Sequence, residues 1–245
     1  MKKIAVILSF VLLISGFVFA SKPTTTLCKI SGGITIDGSL EDWVAAGIKP
    51  IEINKPEQVA IGKVDWLGAE KQSGKIYVAF TDNTLYIAAD IKSPQGIKNN
   101  KEQGKIYDGN SIELFIGFNN SDPEREMYTE SDYQIGISPG HFLKSSNTWK
   151  VKPSVFCYNL NTPVKDAKLK VKPTKSGYII EAAIPSSAFA GWAIDDGAEI
   201  GFDLGIDDAG EKGFGRKVQL TWSGDKDGWK NPKGWGIANI KKCGK

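Results

Sequence analysis

The amino-acid sequence predicts an all-β fold: an antiparallel two-sheet β-sandwich with one short N-terminal helix. Three observations lead to this prediction. Apolar and polar residues alternate with a period of two in many short runs, helical periodicity is almost absent, and turn signals containing Gly, Asn or Asp separate the runs. Such spacing is typical of sandwiches of the immunoglobulin-like or jelly-roll-like kind.

The predicted strands follow one another at short intervals along the chain. They cover residues 34–36, 75–80, 85–91, 111–118, 132–138, 149–158, 167–173, 178–184, 199–206, 217–222 and 235–240. The turn at 81–84 closes a hairpin between the second and third of these strands. The one predicted helix covers residues 40–46, with Ser39 as its N-cap.

Most predicted strands place apolar residues on one face and polar residues on the other. In 85–91, one face carries Leu85, Ile87, Ala89 and Ile91, and the opposite face carries Asp90. The polar residues placed in the same way on other strands are Gln134, Glu181 and Asp203. A sheet with one face in the core and one in water has this pattern, so we expect these polar side chains to contact solvent.

The N-terminus has the pattern of a secretory signal peptide. Met1, Lys2 and Lys3 form a positive region, residues 4–19 are apolar, and residues 18–20 fit a small-residue cleavage site. We predict cleavage after Ala20, a single domain over 21–245, and a protein that is exported, either secreted or periplasmic. No later run is long and apolar enough to predict a membrane span.

The charge balance argues against nucleic acid and anionic membranes as partners. The chain has 31 basic and 28 acidic residues, a net charge of +3. Without Lys2 and Lys3 the balance is 29 against 28, or +1. A nearly neutral chain provides no electrostatic attraction for a polyanion.

Three cysteines are present in a chain that we expect to reach an oxidising compartment. Cys28 lies shortly after the predicted cleavage site and Cys243 lies two residues from the end of the chain. We predict a Cys28–Cys243 disulfide that joins the terminal strands and leaves Cys157 free.

The most informative segment for function is residues 107–118. Tyr107 lies on the rim of a turn, and the strand that follows places Glu113 on the face opposite its apolar residues. An aromatic ring beside a carboxylate is a combination suited to binding a polyol. A second exposed aromatic is predicted at Trp229, because its neighbours Lys226, Asp227, Lys230 and Asn231 are all polar. If the polar sheet face is concave, Gln134 would line the same groove as Glu113.

A calcium site is predicted where acidic residues are dense, at Asp203, Asp207 and Asp208. Calcium prefers such hard oxygen ligands, and an exported protein meets millimolar calcium. The alternative interpretation is a turn that closes a strand.

Catalytic and haem chemistry have little support. His141 is the only histidine, so we predict neither a Ser-His-Asp triad nor a zinc site. Acidic residues are plentiful enough for a two-carboxylate glycosidase, although most acidic residues in strands belong to a solvated face. Met127 and His141 are the candidate axial ligands if the sandwich holds haem.

Six short motifs in this order resemble the family 9 carbohydrate-binding modules, which are found on bacterial xylanases and on exported proteins and have a DOMON-like sandwich. The motifs are ITIDG at 34–38, TLYIA at 84–88, DGNSIELFI at 108–116, GYIIEAAIP at 177–185, IGFD at 200–203 and LTWS at 220–223, followed by WKNP at 229–232. They span nearly all of the chain after residue 20.

The resemblance implies a two-sheet sandwich that binds calcium and holds the ends of glucan or xylan chains between two aromatic residues. By position these aromatics are Tyr107, where the family pattern has Trp, and Trp229. Glu113 and Gln134 match positions that contact sugar hydroxyls, and Asn110 stands where Asp is usual.

One departure from the family pattern affects the site directly. The arginine two residues after the position of Gln134 is replaced by Gly136. Loss of an arginine removes a charge-assisted hydrogen bond of roughly 1.5–3 kcal/mol, so we expect ligand affinity or identity to differ from the family pattern.

These observations together predict a non-catalytic module that binds a polysaccharide or oligosaccharide and takes part in polysaccharide catabolism. Tyr107 and Trp229 would hold a sugar ring, and Glu113, Gln134 and Asn110 would contact its hydroxyls. Three alternatives stay open at this point: a structural or interaction domain with a degenerate sugar site, a haem-binding sandwich, and a glycosidase.

Overall fold

The computed structural model describes residues 21–244. The predicted signal peptide, residues 1–20, lies outside the described residues. The strands are β1 (Thr24–Lys29), β2 (Ile51–Ile53), β3 (Val59–Ile61), β4 (Ser73–Phe80), β5 (Thr84–Lys92), β6 (Ser111–Gly117), β7 (Asp132–Ser138), β8 (His141–Leu143), β9 (Thr148–Val151), β10 (Ser154–Cys157), β11 (Thr162–Pro163), β12 (Lys168–Pro173), β13 (Gly177–Pro185), β14 (Glu199–Asp208), β15 (Val218–Thr221) and β16 (Gly236–Lys242). The prediction of an all-β chain is confirmed.

Helices are short. One α-helix, α1, covers Glu41–Ala45, and 3₁₀ helices cover Pro56–Gln58, Gln103–Asp108, Ser186–Ala188 and Pro232–Gly234. The predicted N-cap is one residue too early, because Leu40 precedes α1, although Ser39 Oγ accepts a hydrogen bond from the Glu41 N–H at 3.3 Å. None of the helices between residues 21 and 244 has the length and apolar character needed to cross a membrane.

The strands form one 14-stranded sheet and one two-stranded hairpin, β8–β9. The main path of the large sheet is β11-β10-β7-β6-β14-β16-β1-β4-β5-β13-β12, with β15, β2 and β3 attached beside it. Apolar side chains from both halves of this path, such as Ile112 of β6 and Ile180 of β13, belong to a single buried core. The two halves therefore curl toward each other around one apolar interior.

The prediction of two separate antiparallel sheets differs from this arrangement. β1 joins the two halves, and both of its pairings are parallel: with β16 along Thr24–Lys29, and with β4 only through Cys28 and Lys29. The Cys28–Cys243 disulfide is confirmed, with a Cα–Cα distance of 5.3 Å, and it holds this joint together. Cys157 is free, as predicted, and the structure shows that it is buried.

Two of the predicted strands differ from the strands that the structure shows. Residues 34–36 are not a strand, and the predicted strand 149–158 is divided into β9 and β10. Pro153 lies at the break, where it cannot donate a hydrogen bond to a neighbouring strand.

The apolar faces are buried as predicted, but the expectation that the polar faces are solvated is wrong at two positions. Glu181 of β13 is fully buried because the segment before α1 covers it, and the Trp43 indole donates to its carboxylate at 2.7 Å. Asp203 of β14 is also buried, and it accepts hydrogen bonds from the N–H groups of Leu204 and Ser223.

Candidate functional site

A cleft of about 390 Å³ opens on the outer face of the β6–β7–β14 half of the sheet. It is lined by Tyr107, Glu113, Gln134, Tyr158, Arg216, Gln219 and Trp229. Four of these residues, Tyr107, Glu113, Gln134 and Trp229, are predicted site residues, and the structure brings them together.

Strand pairing explains how the chain forms this site. Glu113 of β6 lies opposite Gly136 of β7, and Gln134 lies two residues from Gly136 along β7, on the same outer face. The 3₁₀ helix Gln103–Asp108 leads into β6 and places Tyr107 at the rim. Trp229 lies in the loop between β15 and β16. Residues far apart in sequence therefore meet because β6 and β14 are neighbours.

Two exposed aromatic rings form the sides of the cleft. Tyr107 is 39% exposed and Trp229 is 58% exposed. The loop of Trp229 is braced by the Gly228 carbonyl, which accepts hydrogen bonds from the Tyr128 hydroxyl at 3.0 Å and from the Trp235 indole at 2.9 Å. Trp229 is therefore a solvent-facing ring on a firmly held turn.

Glu113 forms the floor of the cleft and is 1% exposed. Its Oε1 accepts a hydrogen bond from Gln134 Nε2 at 3.0 Å, and its Oε2 accepts one from Gln219 Nε2 at 2.7 Å. Burial, together with the charge of Asp207, raises the pKa of Glu113 to about 8. At neutral pH this side chain is therefore largely a neutral carboxylic acid that can donate as well as accept a hydrogen bond.

Arg216 enters the cleft from the loop between β14 and β15. Its Nη1 donates to Asp207 Oδ1 at 3.1 Å, and its backbone N–H donates to Asp108 Oδ1 at 3.0 Å. The guanidinium carbon lies 5.4 Å from the centre of the Tyr107 ring. Burial raises the pKa of Asp207 to about 6, and the nearby Arg216 charge opposes that rise. These contacts fix one positive group beside the aromatic rim.

Asn110 does not line the cleft. Its Oδ1 accepts a hydrogen bond from the Lys98 N–H at 2.9 Å, and its Nδ2 donates to Asp208 Oδ2 at 3.2 Å. The residue is 2% exposed, so its position supports the turn before β6 rather than contact with a ligand. Alternation along the strand accounts for this, since an even position faces away from Glu113.

The three predicted calcium ligands do not share a site. Asp203 and Asp207 lie on one face of β14, and Asp208 lies on the other. Asp208 is already bound by donors, including the Gly210 N–H at 2.7 Å and Gln72 Nε2 at 3.1 Å. Within residues 21–244 no group of three or more His, Cys, Asp or Glu side chains is placed to hold a metal ion. The three side chains therefore do not converge, and calcium binding stays a prediction from the sequence.

The proposed haem ligands are also separated. Met127 lies in the loop before β7, and His141 begins β8 just after β7 ends. The 7 residues of β7 lie between them in the chain, and Met127 is 78% exposed. These positions give no support to a haem held between the two side chains.

A shallower groove lies away from this cleft and has a volume of about 700 Å³. Its lining includes Asn120, Thr129, Glu130 and Glu199, and its one aromatic residue, Phe118, is 5% exposed. A buried ring offers no face for stacking, so the smaller cleft is the better candidate site.

Tyr158, Arg216 and Gln219 were not predicted from the sequence. Tyr158 follows β10, Arg216 lies in the loop before β15, and Gln219 lies within β15. Only the sheet order places them beside Glu113. The one available signal was Arg216, an arginine in a glycine-containing loop next to the predicted strand 217–222.

The chain and its fold have counterparts among known proteins. The family model described as "Carbohydrate family 9 binding domain-like" matches residues 36–243. The exoglucanase XynX of Acetivibrio thermocellus is 29% identical over 237 residues, which are 94% of this chain and 18% of that protein. The endo-1,4-beta-xylanase A of Thermotoga maritima is 27% identical over 213 residues, which are 86% of this chain and 17% of that protein. The chain thus spans less than a fifth of the length of these relatives.

Two solved structures of a family 9 carbohydrate-binding module from Caldicellulosiruptor kristjanssonii share the fold. The complex with cellotriose has a TM-score of 0.65 at 17% identity, covering 90% of this chain and 94% of that chain. The complex with glucose has a TM-score of 0.63 at 18% identity, covering 90% and 96%. Since the family model spans most of the described residues, the chain belongs to the carbohydrate family 9 binding domain-like family.

Proposed function

We propose that this protein binds carbohydrate without catalysing a reaction, and that it holds the end of a glucan or xylan chain between Tyr107 and Trp229. The observation that carries this proposal is the cleft itself, which combines two exposed rings with a polar floor. The C–H faces of a pyranose pack on aromatic rings, while its hydroxyls need hydrogen-bond partners below.

The size and polarity of the cleft suit such a ligand. A volume of about 390 Å³ accommodates a small sugar. The floor and walls present a carboxyl group at Glu113, amides at Gln134 and Gln219, and a guanidinium at Arg216. These groups donate and accept hydrogen bonds at fixed positions, which is what recognition of several hydroxyls requires.

The arrangement of the carboxyl groups supports binding without hydrolysis. A glycosidase needs two carboxyl groups on opposite sides of one glycosidic bond. Here Glu113 and Asp207 lie on adjacent strands of the same floor, and Asp207 is fully buried and bonded to Ser111 and Arg216. Asp207 does not line the cleft, so it cannot lie across a glycosidic bond from Glu113.

The named relatives are consistent with a role in polysaccharide catabolism. They are an exoglucanase and a xylanase, and the solved neighbours hold cellotriose and glucose. We extend this to an exported protein that binds fragments of glucan or xylan. Calcium is not part of the proposal, because the predicted ligands do not converge.

Calorimetric titration of the protein with glucose, cellobiose and xylobiose tests the proposal. We expect saturable binding of at least one sugar, and loss of that binding when the reducing end is converted to an alditol. Binding of the alditol with unchanged affinity would contradict recognition of a chain end. Absence of heat with all three sugars would contradict the carbohydrate site.

A further inference from the structure

The hydroxyl of Tyr158 is a polar group in the wall of the cleft that the protein itself does not use as a donor. Tyr158 directly follows β10, and its backbone N–H donates to the Gln134 carbonyl at 2.9 Å. The side-chain oxygen is buried, and it has no hydrogen-bond partner among residues 21–244. Leaving a buried hydroxyl unpaired costs stability, so such a group calls for an explanation.

The position of this hydroxyl depends on the glycine at 136. A Cβ atom added to Gly136 would lie 2.4 Å from Tyr158 Oη and 2.8 Å from two ring carbons. The end of the Tyr158 ring therefore occupies the space that a side chain at 136 would fill. Because Gly136 pairs with Glu113 across β6 and β7, the hydroxyl lies beside the floor of the cleft.

The ring is held from two sides, so its hydroxyl has a defined position. Tyr107 meets it edge to face with ring centres 6.1 Å apart, and Phe156 does so at 5.8 Å. The backbone N–H of Tyr107 lies near the hydroxyl oxygen and lowers its pKa, but the two groups do not have the geometry of a hydrogen bond. Such a contact would use only a lone pair of the oxygen, and the O–H itself would still lack an acceptor.

The hydroxyl is protonated at any physiological pH. Burial raises its pKa above the ordinary tyrosine value, and the nearby acidic groups of Glu113 and Asp207 raise it further. It is therefore a donor, set beside a carboxyl group whose oxygens already accept bonds from Gln134 and Gln219.

We propose that the Tyr158 hydroxyl binds a hydroxyl oxygen of the sugar, and that Gly136 and Tyr158 together determine which sugar the cleft accepts. This inference rests on the proposed function. A site built to pair with one particular hydroxyl discriminates strongly against an analogue that lacks it, because its own polar group is then left unpaired. Tyr158 would thus be a specificity-determining residue with its position set by Gly136.

Tyr158→Phe tests the hydroxyl and leaves the ring in place. We expect the sugar that the wild-type protein binds best to bind about fivefold more weakly to this variant, the usual worth of one neutral hydrogen bond. Tyr178→Phe is the matched control, since Tyr178 is also a buried tyrosine with an unpaired hydroxyl, but it lies in the core rather than in the cleft. Calorimetry should show wild-type affinity for the control.

Monodeoxy sugars distinguish contact with the ligand from a structural role. One deoxy position should weaken binding to the wild-type protein by about fivefold and have no effect on Tyr158→Phe, whereas the other positions should affect both proteins equally. Gly136→Ala provides a second route, because the added methyl group displaces the Tyr158 ring. Gly136→Ala alone should weaken sugar binding. Combined with Tyr158→Phe, it should cause little further loss of affinity.

This inference would be overturned if Tyr158→Phe bound the sugar with wild-type affinity and each deoxy sugar had the same effect on both proteins. The proposed function would still stand in that case. A wild-type protein that binds none of the sugars would overturn both. Thermal melting of each variant shows whether it is folded before its affinity is compared.

Discussion

Glu113 and Glu181 face outward from the two halves of the sheet, and both are buried, yet their partners differ in kind. Glu181 accepts hydrogen bonds from the backbone N–H groups of Asp37 and Gly38 and from the Trp43 indole. Glu113 accepts hydrogen bonds from two side-chain amides, and its cleft is open between two exposed rings.

The difference shows what makes an outward-facing carboxyl group structural or functional. The chain's own N-terminal segment seals Glu181, so its donors are part of the fold. Within residues 21–244 no chain segment covers the cleft above Glu113, so a ligand can complete the environment there. Strand alternation places both glutamates on the outer face, but it does not distinguish between them.

Removal of the sealed carboxyl group should have the largest effect. Glu181→Ala leaves three donors without their acceptor, one of them the indole of fully buried Trp43. We expect the free energy of unfolding to fall by about 3 kcal/mol, measured by urea denaturation. Sugar affinity of the folded protein should not change, and a lowered affinity would mean that the two regions are coupled.

Trp229→Ala should have the largest effect on binding. Loss of one side of the cleft should weaken sugar binding about 100-fold or more, as expected for an aromatic residue at the centre of a site. The unfolding midpoint should be unchanged, because the Trp229 ring is mostly exposed. Phe214→Ala is the matched control: Phe214 is 80% exposed and does not line the cleft, so this variant should bind normally.

The pH dependence of stability should follow the carboxyl groups near the cleft. The pKa values of Glu113, Asp207 and Asp203 are raised by burial, to about 8, about 6 and about 7. The folded state therefore holds these protons more tightly than the unfolded chain, and stability falls as pH rises through these values. We expect the free energy of unfolding to be lower at pH 8 than at pH 5, as measured by urea denaturation at each pH.

Glu113→Gln identifies the share of this pH dependence that comes from the cleft. The amide cannot titrate, so denaturation curves of the variant should change less between pH 6 and pH 8 than those of the wild-type protein. Identical curves would show that Glu113 does not titrate in this range and that its pKa is not raised as described.

The same variant should have the smallest effect on binding. Gln at position 113 keeps one acceptor oxygen but loses the ability to accept from both neighbouring amides. We expect sugar affinity at pH 6 to fall about fivefold, the worth of one neutral hydrogen bond, as measured by calorimetry. Glu181→Gln is the comparison, and it should leave affinity unchanged.

Much of the site could be predicted, because its residues belong to local patterns. Tyr107 and Glu113 are part of one turn and strand, and Gln134 follows on the next strand of the hairpin, so alternation places the latter two on one face. The exposure of Trp229 could be predicted because its sequence neighbours are polar. Asn110 does not join them, because it precedes β6 and is buried away from the cleft.

The remaining features depend on long-range pairing, which short patterns do not contain. Tyr158, Arg216 and Gln219 reach the cleft only because β6 lies between β7 and β14. Asp203 and Glu181 are buried by loops from other parts of the chain. The parallel pairing of β1 depends on its position between β16 and β4. Sequence alternation therefore indicates which face a residue takes, whereas tertiary structure decides what covers that face.

The indole N–H signals of Trp229 and Trp43 allow both regions to be followed in one experiment. Trp229 forms a side of the cleft, while the Trp43 indole reports on the sealed Glu181 carboxylate. The protein, labelled with nitrogen-15, would be titrated with cellobiose while both signals are recorded by NMR. The account predicts that the Trp229 signal shifts and saturates while the Trp43 signal stays in place. A stationary Trp229 signal in a sample that binds the sugar would contradict the account.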